Sequence, residues 1–190
     1  MGIHYLRPDS VLSVVPTCHY STKNLWRSIR HNFLTSTGHE ILGSPLPARP
    51  AVKDLVLVVL DRSNQGERAL VGQAELVQLI REEIRPRELV VFTRETLPRT
   101  IEIFHRAHII LGVHGAGLSN MVFVRKGAVV VEIQPEEYTN YCFYLLARTL
   151  GFPHLLVPGG GHKATPTTVD PQDVIGALKK ATQLLEWIED

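Results

Sequence analysis

The sequence predicts an α/β fold in which a parallel β-sheet is covered by helices on both faces. Two observations support this prediction. Apolar runs of strand length alternate with amphipathic segments of helical periodicity, and the connections between them are short. The apolar runs are nearly continuous and rich in Val, Leu and Ile, which is typical of parallel strands buried on both faces.

Each element follows from its own pattern. The run Asp-Leu-Val-Leu-Val-Val-Leu-Asp at 54–61 predicts the first strand, and the apolar positions of 72–84 fall on one side of a helix. Asp170 is the predicted cap of the last helix. The remaining predicted elements are strands at 88–93, 108–113, 128–133 and 154–157, and helices at 97–106, 138–150 and 171–188.

The first fifty residues are patterned differently from the rest. Residues 21–34 show helical spacing, and Pro45, Pro47 and Pro50 mark a linker. We therefore divide the chain into 1–50, an N-terminal helix and Pro-rich linker left from a preceding domain, and 51–190, the α/β domain. Late in that domain, glycines and a Pro/Thr-rich stretch within 159–168 predict a flexible loop.

Composition narrows the class of protein. Apolar residues make up 44% and charged residues 21%, which is ordinary for a globular domain, and no run approaches the roughly 20 apolar residues of a membrane span. The net charge of +1 does not indicate nucleic-acid binding. The start lacks the pattern of a signal peptide. Cys18 and Cys142 are either packing residues or one disulfide.

The segment Gly-Val-His-Gly-Ala-Gly-Leu-Ser-Asn-Met-Val at 112–122 is the most informative motif. It reads as a strand end, a glycine-rich turn and the start of a helix, so the backbone N–H groups of Gly115, Ala116, Gly117 and Leu118 are candidate donors to an anion. The glycine spacing fits neither the dinucleotide fingerprint nor a P-loop. We predict a phosphate-bearing ligand here; the alternative is that the glycines serve packing only.

Arginines follow the predicted strand ends. Arg62 and Arg68 come after the first strand, and their guanidinium groups suit a diphosphate because they bind oxygens in pairs and stay charged. The alternative is that both are solvated loop residues. Arg94 has a similar location and a weaker case. Since ligands of such sheets bind at the carboxyl ends of the strands, these side chains are candidates for one site.

Two further residues are candidates for ligand contact. His114 precedes the Gly-Ala-Gly turn and could donate to a phosphate or leaving-group oxygen, or transfer a proton; otherwise its ring locks the turn. Glu132 interrupts a buried apolar strand, so its carboxylate needs partners. Glu132 could bind the ribose hydroxyls of a nucleotide. The alternative is that it pairs with a structural arginine.

The other chemistry-bearing residues give weaker signals. Tyr138, Tyr141 and Tyr144 recur at spacing that places them on one face of a predicted helix, where core packing is their expected role. The nine histidines are scattered and no Asp-x-Asp dyad is present. No metal site is predicted.

Taken together, these motifs resemble family 61 glycosyltransferases over roughly residues 20–160. The His-Gly-Ala-Gly-Leu core with a downstream Val-x-Glu-Ile is much more specific than a lone glycine motif. The segments that carry the resemblance are Leu60-Asp61-Arg62, Arg68, the stretch from Phe104 to Asn120, Phe123, Gly127, Val131-Glu132-Ile133 and the stretch from Tyr141 to Leu150.

The resemblance implies that residues 51–190 are a Rossmann-like nucleotide-sugar-binding domain, the donor-binding half of a GT-B enzyme. It implies inverting transfer of a sugar of the GlcNAc, xylose or arabinose class from a UDP-sugar to a protein or polysaccharide hydroxyl. No metal or other cofactor is expected. Donor contacts are implied for Arg62, Arg68, the turn at 114–118 and Glu132.

The resemblance also sets expectations for partners and location. A GT-B enzyme has a second, acceptor domain, and fewer than about 55 residues precede the donor half here. An acceptor domain or an oligomer partner is therefore expected from elsewhere, and a Golgi or endoplasmic reticulum lumen location follows from the family. The alternative function is a nucleotide-sugar-binding module without transferase activity. No residue is identified as the catalytic base.

Overall fold

The computed structural model describes residues 4–5, 54–63, 66–124 and 126–187. The predicted helix at 21–34, Cys18 and the proposed boundary near residue 50 lie outside these ranges. Within them, no helix is long and apolar enough to cross a bilayer. The elements in chain order are β1 (His4–Tyr5), β2 (Val56–Leu60), α1 (Gln73–Glu83), β3 (Glu88–Phe92), α2 (Leu97–Arg106), β4 (Ile109–Val113), a 3-10 helix (Ala116–Phe123), β5 (Val129–Pro135), α3 (Cys142–Leu150), β6 (His154–Gly159) and α4 (Pro171–Trp187).

The strands form one parallel sheet in the order β1-β6-β5-β4-β2-β3. The predicted α/β fold with a parallel, Rossmann-like sheet is confirmed. Because every strand points the same way, the residues that follow β2, β4, β5 and β6 meet at one edge of the sheet. We call this the carboxyl edge.

Side chains alternate between the two faces of the sheet and are buried on both. Val129, Val131 and Ile133 of β5 belong to a hydrophobic cluster that includes residues of α1 and α4. Val130, between them, belongs to a second cluster with residues of α2, the 3-10 helix and α3. The continuous apolar runs in the sequence therefore correspond to strands covered on both faces, as predicted.

Helix α3 begins four residues later than predicted. Residues 136–138 form a turn instead, in which the N–H of Tyr138 donates to the carbonyl of Pro135 at 3.0 Å. The N–H of Cys142, at the start of the helix, donates to the side-chain oxygen of Asn140 at 3.0 Å. Since a side-chain acceptor just before a helix satisfies an otherwise unpaired N–H, Asn140 favours the later start. The prediction that Tyr138, Tyr141 and Tyr144 share one helix face is therefore wrong.

The predicted loop at 159–168 is hydrogen-bonded to the loop after β2. Thr167 pairs with Leu70 in a parallel bridge, and its N–H donates to the carbonyl of Ala69 at 2.7 Å. The carbonyl of Thr165 accepts from the N–H of Arg68 at 3.0 Å. Gly159 is the last residue of β6 and not part of the loop as predicted, because the strand runs two residues further. The rest of the segment is a loop whose backbone is held against a second loop at the carboxyl edge.

Candidate functional site

A buried carboxylate lies at the centre of the carboxyl edge. Glu132, on β5, sits beside Gly112 of β4 in the register of the sheet and has a fully buried side chain. His114 Nδ1 lies 2.5 Å from one of its carboxyl oxygens, and His154 Nε2 lies 2.7 Å from the other. The two histidine side chains are 3% and 2% exposed. Water therefore contributes little, and each carboxylate oxygen of Glu132 has a histidine partner. We call Glu132, His114 and His154 the triad.

The electrostatics of this triad favour an ionised glutamate. Burial raises the pKa of Glu132, but the hydrogen bonds from His114 and His154 and the charges of the two rings outweigh it, so the pKa is lowered overall. An ionised carboxylate only accepts hydrogen bonds. The proton positions that fit are therefore on Nδ1 of His114 and on Nε2 of His154. Histidines, and not the arginine considered from the sequence, are the partners of Glu132.

His114 is held by aromatic rings as well as by Glu132. Its ring centroid lies 5.3 Å from that of Tyr138 and 5.0 Å from that of Phe143. Its backbone N–H donates to the carbonyl of Ile133 at 2.8 Å. Among the described residues, the His114 ring makes one hydrogen bond, from Nδ1 to Glu132. Its other nitrogen, Nε2, is therefore the one available to a ligand.

Arg62 extends from the end of β2 across the glycine turn. Its guanidinium donates to the carbonyl of Glu67 at 3.2 Å and to the carbonyl of His114 at 3.5 Å. Burial, and then the positive charge of Arg68, lower the pKa of Arg62. Two arginines whose charges act on each other make a local positive potential, which suits an anionic ligand.

Arg68 is fixed by its backbone. Its φ of 53° lies in the left-handed region, and its N–H is bonded to Thr165 in the loop before α4. The guanidinium carbon stands 5.6 Å from the centroid of the Tyr138 ring, and the ammonium of Lys163 stands 5.8 Å from the same centroid. Nε of Arg68 is buried without a hydrogen-bond partner in the described structure. The side chain is therefore part of a packed cluster and not a solvated loop residue.

The glycines of the turn are explained by contacts inside the protein. A Cβ on Gly115 would overlap the guanidinium of Arg62, and one on Gly112 would come within 2.6 Å of Leu60 Cδ1. A Cβ on Gly117 would lie 3.2 Å from the same Leu60 atom. Packing inside the protein thus accounts for glycine at these three positions. Gly115 also leaves the space that the Arg62 side chain occupies.

The segment after the turn is a 3-10 helix and not the start of an α-helix. Its first internal backbone bond runs from the N–H of Leu118 to the carbonyl of Gly115, at 3.0 Å. The N–H groups of Ala116 and Gly117 precede that bond and lie at the end of the helix where intrahelical acceptors are missing. Leu118 itself has a fully buried side chain. Its N–H is engaged within the protein, so the N–H groups that precede it are the better candidates for a ligand.

Other sequence candidates lie elsewhere. Arg94 is exposed after β3, the edge strand of the sheet. Tyr144 contacts the triad from α3, with its ring 5.8 Å from that of His154. Within the described ranges, no group of three His, Cys, Asp or Glu side chains could hold a metal ion.

His154 is the residue that sequence reasoning missed. It opens β6, where its register partner is Val130 and where Leu156 pairs with Glu132. Residues two apart in a strand share a face, so His154 lies on the face of Glu132 and one step back. A polar residue before a short apolar run reads as a surface residue, and only the strand register brings it to Glu132.

The similarity of this chain to known proteins agrees with the resemblance of its motifs. The sequence model of glycosyltransferase family 61 matches residues 9–131, more than half of the chain. Protein O-linked-mannose beta-1,4-N-acetylglucosaminyltransferase 2 of Takifugu rubripes is 33% identical over 95 residues, covering 47% of this chain and 16% of that protein. The proteins of the same name from Danio rerio and Xenopus laevis are each 32% identical, over 80 and 85 residues, covering 39% and 42% of this chain. The aligned segments span 14% and 15% of those two proteins, so the chain matches only a small part of each relative.

Proposed function

The chain belongs to glycosyltransferase family 61, and from that membership we propose that its α/β domain binds the UDP-sugar donor of an inverting glycosyltransferase. The observation that carries the proposal is the convergence of Arg62, Arg68 and His114 at the carboxyl edge, beside the N–H groups of the glycine turn. A diphosphate is the ligand whose charge and number of oxygens match this set of donors.

In the proposed reaction, an acceptor hydroxyl attacks the anomeric carbon of the donor from the face opposite the diphosphate. The new carbon–oxygen bond forms as the bond to the diphosphate oxygen breaks, and UDP leaves with the electron pair. The role of Arg62 and Arg68 is to stabilise the negative charge that develops on UDP. The acceptor proton passes to a base that is not among the residues assigned here.

His114 contributes a further donor in this scheme. With Nδ1 engaged by Glu132, its Nε2–H is available to a diphosphate oxygen, and Glu132 balances the positive charge that the ring then carries. Glu132 itself has both oxygens occupied, so we propose that it supports donor binding through His114 and not by gripping the ribose.

The proposal extends to the sugar, the acceptor and the location. N-acetylglucosamine is the first sugar to test, because the relatives are named for its transfer to O-linked mannose. A protein or polysaccharide hydroxyl is the acceptor class, and the lumen of the Golgi or endoplasmic reticulum is the proposed location. Donor binding is proposed to need no metal.

Calorimetric titration with UDP, ADP and GDP, with and without EDTA, tests this function. UDP-selective binding that survives EDTA is expected. Arg62→Ala should weaken UDP binding by about tenfold to a hundredfold, the value of a hydrogen-bonded charge pair. Arg81→Ala is the matched control, since Arg81 is an exposed arginine on α1.

Different outcomes would contradict the donor assignment, the metal independence and the role of Arg62. No binding of any uridine nucleotide by the wild type would overturn the donor assignment, and loss of binding in EDTA would overturn metal independence. Equal UDP affinity of wild type and Arg62→Ala would remove Arg62 from the site. UDP binding without sugar transfer to any acceptor would favour the alternative, a nucleotide-sugar-binding module.

A further inference from the structure

The two histidines that bind Glu132 are not equivalent. His114 uses Nδ1 and His154 uses Nε2, and each takes a different oxygen of the carboxylate. The second ring nitrogen of His154, Nδ1, is buried without a hydrogen-bond partner in the described structure, whereas Nε2 of His114 is not in that group of buried, unpartnered atoms. Only His114 therefore has a nitrogen left for a ligand.

This asymmetry restricts the proton positions of His154. Because Glu132 accepts, Nε2 of His154 must carry a proton. Nδ1 of His154 is buried without a hydrogen-bond partner in the described structure, so the bond from Nε2 is the hydrogen bond that orients the ring. The hydrogen bond of His154 within the site therefore goes from Nε2 to Glu132.

We propose, resting on the function proposed above, that His154 is a positioning residue: by holding one oxygen of Glu132 it keeps the other on His114, so that Nε2 of His114 faces the donor diphosphate. Without His154, one carboxylate oxygen would be buried and unsatisfied. The carboxylate would then rotate or admit water, and His114 would lose the partner that fixes its ring and its tautomer.

Within the described part of the chain, the charged and titratable groups around the two histidines come from several elements. Glu132 faces His114 from β5, Tyr138 faces it from the turn before α3, and Arg62 bonds to its backbone carbonyl. Tyr144 faces His154 from α3. Arg68 and Lys163 stand over the ring of Tyr138, which in turn faces His114. Among these contacts, Glu132 is the acceptor for both ring N–H groups.

The first test is nitrogen-15 NMR of the histidine rings, which needs no substitution. We expect a proton on Nε2 of His154 and a proton on Nδ1 of His114, both with and without UDP. A bare Nε2 on His154, or a bare Nδ1 on His114, would overturn the proposal whether or not UDP binds.

The second test compares two amides at position 154. The amide nitrogen of Gln takes the place of Nε2 and can still reach Glu132, whereas that of Asn takes the place of Nδ1 and cannot. We expect His154→Gln to keep UDP affinity close to that of the wild type and His154→Asn to lower it about tenfold, with a mixture of His114 tautomers. Affinity for uridine, which lacks phosphates, should stay the same in both variants.

The outcomes separate this proposal from the function on which it rests. If the wild type binds no UDP, the donor assignment fails. If the wild type binds UDP but the two variants bind it equally well, the positioning role of His154 fails while the donor assignment stands. A parallel loss of UDP and uridine affinity in His154→Asn would mean that His154 supports the fold and not the phosphate contact.

Discussion

The two faces of β5 are equally buried but differ in chemistry. On one face, Val129, Val131 and Ile133 pack among apolar side chains of α1 and α4. On the other face, Val130 is followed by Glu132 and then by Gln134, and these polar side chains are 0% and 5% exposed. The difference appears only toward the carboxyl edge, where the strand leaves the hydrophobic cluster and meets the triad.

Burial therefore stabilises the two faces of this strand in different ways. The apolar face is stabilised by area removed from water, and any side chain of similar shape supplies it. The polar face is stable only while each carboxylate oxygen keeps its own donor. The apolar face therefore determines the sheet, and the polar face determines one arrangement of side chains at its edge.

Replacing Glu132 by Leu should have the largest effect. It leaves the ring N–H groups of His114 and His154 buried without an acceptor, so the free energy of unfolding should fall by about 3–5 kcal/mol. Ile133→Val, one residue along on the apolar face, should cost about 0.5–1.5 kcal/mol. Denaturant unfolding followed by circular dichroism measures both. Equal losses of unfolding free energy in the two variants would mean that the polar and apolar faces of β5 are stabilised in the same way.

Acid should remove the contribution of Glu132. Burial alone would raise its pKa, but the hydrogen bonds of the two histidines hold it below the usual 4.5. A carboxyl whose pKa is lowered in the folded state binds its proton more readily when unfolded, so its contribution is present above about pH 4.5 and is lost as the pH falls through the folded value. The apolar face has no such dependence.

Unfolding in urea at a series of pH values checks this sign, with Glu132→Gln as the reference because it cannot ionise. The stability difference between the wild type and this variant should be greatest above pH 4.5 and should shrink below it. A difference that grows on acidification would contradict the assigned direction.

Two glycines of the turn should respond differently to replacement by alanine, with smaller effects than at Glu132. Gly112→Ala should lower the free energy of unfolding by about 1–3 kcal/mol, because the new methyl group meets Leu60 in the core. Gly115→Ala should change stability less, since the end of the Arg62 side chain can move, but should weaken UDP binding about tenfold. Melting curves and calorimetry distinguish the two. If Gly115→Ala leaves UDP affinity unchanged, the position of Arg62 does not matter for the donor.

Much of the fold follows from the sequence because the strands are buried on both faces. A run such as Leu-Val-Leu-Val-Val-Leu at 55–60 has few alternatives once helices flank it on either side. The start of α3 was less predictable. The tyrosine spacing favoured a helix from 138, whereas the side chain of Asn140 and the turn at Pro135 decide the outcome.

The site was predictable only in part. Glu132 stands out because a carboxylate in an apolar strand needs partners, and His114 stands out beside its glycines. The partners themselves depend on strand register, which no local pattern specifies, so His154 gave no signal. The role of Gly115 likewise depends on the path of the Arg62 side chain, which crosses the turn from another strand.

The pairing of the 159–168 loop with the loop after β2 has a consequence for fragment design. Arg68 and Val71 depend on the backbone carbonyls of Thr165 and Thr167, which lie about a hundred residues later in the chain. A shortened protein that stops at the end of β6 would keep every strand of the sheet and still lose the support of one of the two arginines. An excised domain that preserves the edge must therefore extend at least through Thr168, whose backbone pairs with Gly160.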